Sequence, residues 1–201
     1  MSRDLRVCFV GDSFVAGVGD PEHLGWTGRL CAASDRSGLP VTRYVLGVRR
    51  QTTAEVADRW AAVCRPRLSG GEWEPRLVLS TGVNDTTEVD GAPRLDPLGS
   101  VAALAGMLTG AAAGGWPVLV VGPPAVADDA QNPAHRGPRR ALRADLRRPR
   151  RALRPRPRRA GRRPDLARRG GCRRRRAPRA AGYAILADLV RPEWERWTSA
   201  P

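Results

Sequence analysis

Four short apolar runs, each closing on or beside glycine, alternate with helix-length segments through the first three-fifths of this chain. The runs are Leu5 to Val10, Val41 to Leu46, Arg76 to Ser80 and Val118 to Val121; the glycines are Gly11, Gly47, Gly82 and Gly122. Between them, helical patterns span Trp26 to Ser37, closed by Gly38, and Pro97 to Ala113, closed by Gly114-Gly115. A third opens at Thr52-Thr53, with Val56, Trp60 and Val63 among its apolar positions. Glu55 lies three residues after Thr52, the spacing of a capping box. Strands this short, alternating with helices of this length, predict a parallel sheet with helices on both faces. A length of 201 residues fits one α/β domain with room for a real core.

In such sheets ligands bind beyond the carboxyl ends of the strands. Three polar signatures fall there: Gly11-Asp12-Ser13, Gly47, and Gly82-Val83-Asn84-Asp85. A serine on a tight turn after a strand is exposed, and its hydroxyl attacks a carbonyl if a base removes its proton. The attack creates an oxyanion that needs donors aimed at it. The backbone N–H groups of Ser13 and Gly47 and the Asn84 amide are the candidates. Each piece also has a purely structural reading. Ser13 fits an N-cap, Gly47 a turn, and Asn84-Asp85 an Asx-type turn. Their order at three successive strand ends favours the chemistry.

These blocks resemble the SGNH, or GDSL-type, hydrolase family: "GDSF" at 11 to 14, "LGVRRQTT" around Gly47, and "GVND" at 82 to 85. The resemblance covers roughly residues 5 to 130 and resumes at "AAGYAILADLV", residues 180 to 190. It implies a three-layer α/β/α flavodoxin-like fold and hydrolysis of small-molecule carboxylic esters without metal or cofactor. Ser13 carries over as nucleophile, with Gly47 and Asn84 as oxyanion donors.

The family's last block, Asp-x-x-His followed by Pro and Gly-Tyr, is where the chain departs. "PRAAGY" at 178 to 183 matches the tail, but Ala177 stands at the histidine position and Arg174 at the aspartate position. Alanine accepts no proton and arginine stays protonated. Charge is concentrated in the same region. Between Arg136 and Arg179 lie 21 arginines and two acids, against 14 arginines and 18 acids elsewhere. A mildly acidic protein thus carries one intensely basic insert, within a net charge of +15.

A frameshift accounts for both the lost block and the arginines. Gly-Asp-Gly-Ala-His-Pro written GGC GAC GGC GCG CAC CCG and read one base early, after a C, yields Arg-Arg-Arg-Arg-Ala-Pro, the "RRRRAP" of residues 173 to 178. The shift would begin near Asn132 to Arg136 and be corrected near Arg179. The nucleotide sequence tests this: the other frame is expected to encode an Asp-x-x-His, and a frame without one overturns it. The alternative is a natural arginine-rich segment, disordered, proline-interrupted and able to bind phosphates non-specifically. On either view, residues 136–179 are irregular and supply no normal fifth strand, because burying unpartnered guanidinium groups costs too much.

Of the two histidines, His23 is expected in a surface loop and His135 precedes the arginine run. Either would need hydrogen-bond reach to Ser13 to replace the base. Two rival functions remain at this level: an arginine-rich nucleic-acid binder, and a catalytically dead SGNH-like binding domain. No specific nucleic acid is expected. Cys8, Cys31, Cys64 and Cys172 form no CxxC pair and read as free thiols. Trp26 and Trp116 read as core. The absence of a leader-like apolar stretch and of a membrane span points to a cytoplasmic location.

Overall fold

The computed structural model describes residues 3–124 and 179–200, together with the backbone of 142–144. The elements run β1 (Leu5–Gly11), α1 (Gly25–Arg36), β2 (Val41–Gly47), α2 (Thr53–Leu68), β3 (Glu74–Ser80), β4 (Glu88–Val89), β5 (Ala92–Pro93), α3 (Pro97–Ala113), β6 (Val118–Val120), β7 (Leu142–Ala144) and α4 (Ala180–Ser199). The main sheet has the order β2-β1-β3-β6-β7. Its first four strands are parallel, which makes this the α/β layered fold expected from the alternation.

Strand alternation sorts the core into two layers, because successive side chains point to opposite faces. Leu5, Val7 and Phe9 of β1 pack with α1 and α4, among Trp26, Leu30, Tyr183 and Trp194. Cys8 and Val10 face the other way, toward Val56, Trp60 and Cys64 of α2 and Met107 and Ala111 of α3. Aromatic rings close the first layer. Phe9 meets Trp26 edge-on at 5.8 Å and stacks on Trp194 at 5.6 Å. Such pairs contribute about 0.5–1.5 kcal/mol each beyond the area they bury. Trp194 also donates to Ser34 Oγ at 2.8 Å, so its one polar atom is satisfied in the core. Trp26 and Trp116 are both buried, as expected.

Helix starts follow their local chemistry. Thr52 and Glu55 form the reciprocal capping box at α2: the Glu55 N–H donates to Thr52 Oγ1 and the Thr52 N–H donates to Glu55 Oε2. Asp96 caps α3 by accepting from the N–H groups of Leu98 and Gly99 at 2.9 Å, with Pro97 at the first helical position. Helix α4 runs past Val190, where the resemblance quoted above ends, through Pro192 to Ser199. The buried residues Tyr183, Leu186, Ala187, Val190, Trp194 and Trp197 recur at helical spacing and hold it on α1.

Two features depart from the sequence pattern. A two-residue hairpin, β4–β5, turns at Asp90-Gly91, both with positive φ (52° and 79°). Asp-Gly is the dipeptide that favours this turn. The second is β7. A normal fifth strand from residues 136–179 was excluded on the cost of burying guanidinium groups. The structure places there a three-residue strand that pairs antiparallel to β6, not parallel. It sits at the edge of the sheet, paired along one side only, and so is not the parallel fifth strand that the alternation of the other elements would continue. Residues 125–141 and 145–178, with His135, Cys172, Arg174 and Ala177, lie outside the described residues. Among the described residues, no helix is long and apolar enough to cross a membrane. Cys8, Cys31 and Cys64 are free and buried.

Candidate active site

Strand register brings the three signatures to one sheet edge. Gly11 pairs with Gly47 on one side and with Ser80 on the other. The segments leading to Ser13, away from Gly47 and toward Asn84 therefore leave the sheet side by side. Glycine is required at both pivots. A Cβ on Gly11 would overlap the Ser80 carbonyl oxygen, and one on Gly47 would overlap the Ala16 nitrogen and the Asp12 carbonyl oxygen. Gly47 is thus pressed against the turn that carries Ser13.

Ser13 is half-buried on a single helical turn. The Ala16 N–H donates to the Asp12 carbonyl at 3.1 Å and the Val18 N–H to the Ser13 carbonyl at 3.1 Å. No regular helix begins here; α1 starts at Gly25. The cap-like bond of the turn belongs to its neighbour, because Asp12 Oδ1 accepts the Phe14 N–H at 2.9 Å. The N-cap reading of Ser13 is therefore not what the structure displays. Among the described residues, no hydrogen bond engages the Ser13 hydroxyl.

Asn84 donates through Nδ2 to the Gln51 carbonyl at 2.9 Å. An amide nitrogen carries two hydrogens, so one remains for another acceptor. Its neighbour Asp85 is buried and anchors the loop. It accepts from the Thr53 N–H at 2.8 Å, Thr53 Oγ1 at 2.6 Å and Ser100 Oγ at 2.7 Å. These bonds join the loop after β3 to the starts of α2 and α3.

Asp12 is 2 % exposed. Burial pushes its carboxyl up to about 7, and the charge of Asp85 adds to the rise, while the Phe14 N–H works against it. A carboxyl that burial makes harder to ionise therefore flanks the serine. A folded-state value above the unfolded one means that the native state holds the proton more tightly. The resulting stability is full below about pH 4 and is lost as pH rises to about 7. It amounts to at most about 4 kcal/mol. Asp12→Asn keeps an oxygen for the Phe14 N–H and removes the titration. Urea unfolding from pH 4 to 8 should show the parent losing stability relative to this variant as pH rises. Parallel pH profiles would contradict the assignment. Tyr183 lies close by: burial chiefly, then the Asp12 and Asp20 charges, raise its phenol, whose O–H donates to the Val18 carbonyl at 2.9 Å.

His23 is exposed, with a positive φ of 55°, in the turn where its N–H donates to the Asp20 carbonyl. Among the described residues it makes no hydrogen bond to Ser13. A cavity of about 550 Å³ opens at the opposite edge of the sheet, lined in part by Arg3, Trp73, Glu74 and Arg76. Both its arginines already bond Glu74 and the carbonyls of Thr198 and Ala200. The strand-end site is separate from it. The quoted motifs contain Asp12 and Asp85, but their carboxylates had no assigned role. Gln51 and Arg59, which also bear on the site, carry no signal of their own in one sequence.

The profile of the GDSL-like lipase/acylhydrolase family matches residues 9–184. A search of curated proteins returns no match. Among solved structures, a variant of the esterase AlinE4 superposes with a TM-score of 0.51 at 24% identity, covering 62% of this chain and 63% of that one. AlinE4, described as an SGNH-hydrolase family esterase, gives 0.51 at 23% identity, covering 60% and 59%. The chain thus spans about 60% of the length of these neighbours, and at such identity the likeness concerns the fold. The family match takes in all three strand-end loops and reaches into α4, and on that extent this chain belongs to the GDSL-like lipase/acylhydrolase family.

Proposed function

We propose that the site is built for hydrolysis of small-molecule carboxylic esters, with Ser13 as nucleophile and Gly47 N–H and Asn84 Nδ2 as oxyanion donors. The observation that carries this is the register of Gly47 and Ser80 on either side of Gly11, with Ser13 two residues beyond. In the reaction Ser13 Oγ attacks the ester carbonyl carbon and gives up its proton to a base. The carbon–oxygen bond to the alcohol then breaks, and the alcohol leaves with a proton. Water attacks the acyl-serine, releases the acid and restores the hydroxyl. The oxygen that becomes negative at each attack is the one the amide donors would hold.

Family membership supports the reaction class, and AlinE4 is itself described as an esterase. The base is the missing part. Ala177 and Arg174 occupy the positions where the family places histidine and aspartate, so the chain as it stands is expected to turn over esters at a rate near background. A cytoplasmic location belongs to the same proposal.

A fluorophosphonate reports on the serine once a base activates it, so the chain to label is the one whose frame is restored, with aspartate and histidine at positions 174 and 177. Incubation followed by peptide mass spectrometry should find the adduct on Ser13 and none on its Ser13→Ala variant. A folded frame-restored chain that stays unlabelled would favour a binding domain without catalysis.

A further inference from the structure

The three site loops share a cation. Arg59 lies on α2, half-buried, and its side chain reaches under the sheet edge. Its Nη2 donates to the Gly11 carbonyl at 3.1 Å and to the Leu46 carbonyl at 2.9 Å. Its Nε donates to Gln51 Oε1 at 2.7 Å. The Gly11 carbonyl also accepts the Val48 N–H at 2.9 Å, so β1 and β2 are tied at their ends. The Gln51 backbone carbonyl is the one that holds the Asn84 amide. One guanidinium therefore touches the residue two before Ser13, the residue before Gly47 and the residue that holds Asn84.

We propose that Arg59 is a positioning residue for the oxyanion donors, and this rests on the ester-hydrolase reading of the site. Two physical effects follow from the contacts. The planar fork of a guanidinium fixes the relative placement of its acceptors, which a single ammonium does less well. The Leu46 carbonyl and the Gly47 N–H belong to one peptide group. A charge-assisted bond to that carbonyl draws electron density toward oxygen and makes the N–H a stronger donor. Burial presses the guanidinium below its usual range. Among the described residues it forms no ion pair with a carboxylate, so its charge is not cancelled at the edge where a negative oxygen would form. Only the fold shows that this side chain returns to the strand ends.

The test is ¹⁵N NMR on the full chain, read at the Gly47 amide nitrogen, which responds to bonds made by the preceding carbonyl. Arg59→Lys and Arg59→Ala should both move the Gly47 nitrogen upfield and shift the Asn84 side-chain amide. Guanidinium ion, added to Arg59→Ala at concentrations too low to unfold it, should return the Gly47 resonance toward its parent position. General loosening of the helix would not respond to guanidinium in this way. If Arg59→Ala does not fold, Arg59→Lys reads the same resonance. A Gly47 nitrogen unmoved in a folded variant overturns the proposal. The two readings fail separately: absence of fluorophosphonate on Ser13 once aspartate and histidine are restored at 174 and 177 removes the esterase, whereas an unmoved Gly47 removes the clamp.

Discussion

Restoring the shifted frame across residues 136 to 179, so that aspartate and histidine stand at positions 174 and 177, should raise ester hydrolysis by about 10⁴-fold or more over the chain as it stands. The size follows from what is absent. A serine hydroxyl is a weak nucleophile until a neighbouring base takes its proton. Loss of the histidine from a serine triad in an unrelated hydrolase costs about a millionfold in turnover, because the remaining groups act only as a unit. The oxyanion donors alone retain about 10³–10⁴-fold over water. Turnover of a p-nitrophenyl ester by both purified chains measures the difference. Placing only Arg174→Asp and Ala177→His in the present chain should recover less, since the flanking arginines remain. Equal rates for the present and the frame-restored chains would end the account of the missing base.

In the frame-restored chain, Ser13→Ala should remove turnover by about a millionfold. Asn84→Ala should lower kcat by about 10²–10³, equivalent to roughly 2.7–4 kcal/mol of transition-state stabilisation, and leave KM nearly unchanged. The split between kcat and KM matters, because the negative oxygen exists only after attack. Asn84 also donates to the Gln51 carbonyl, so its loss should cost about 1 kcal/mol of stability as well. Urea unfolding separates that from the catalytic effect. A change in KM alone, or a kcat loss matched by unfolding, would reassign Asn84 to structure.

Much of the fold was legible because its cues are local. Gly11, Gly38 and Gly47 punctuate the first elements near where the structure ends them, and the Thr52–Glu55 box marks the start of α2. The alternation of short apolar runs with helix-length segments foretold helices on both faces of a parallel sheet. Cues that depend on tertiary packing were not legible. Helix α4 was read from no sequence pattern; it continues through Pro192, where the buried Trp194 and Trp197 hold it to the core. The antiparallel β7 rests on backbone pairing at an edge, which residue type barely encodes. At the site, Gly11-Asp12-Ser13, Gly47 and Asn84 were visible as motifs at strand ends. Arg59 was not, because a lone arginine twelve residues past Gly47 looks like any solvated helix position. The N-cap reading of Ser13 is replaced by the Asp12 turn, a distinction set by the backbone geometry of residues 12 to 18.

A crystal structure of the frame-restored chain carrying a phosphonyl group on Ser13 tests the shared oxyanion site most directly. The account predicts the phosphoryl oxygen about 2.7–3.1 Å from both the Gly47 nitrogen and Asn84 Nδ2. A phosphoryl oxygen directed to solvent, with Gly47 and Asn84 both out of hydrogen-bond reach, would contradict it.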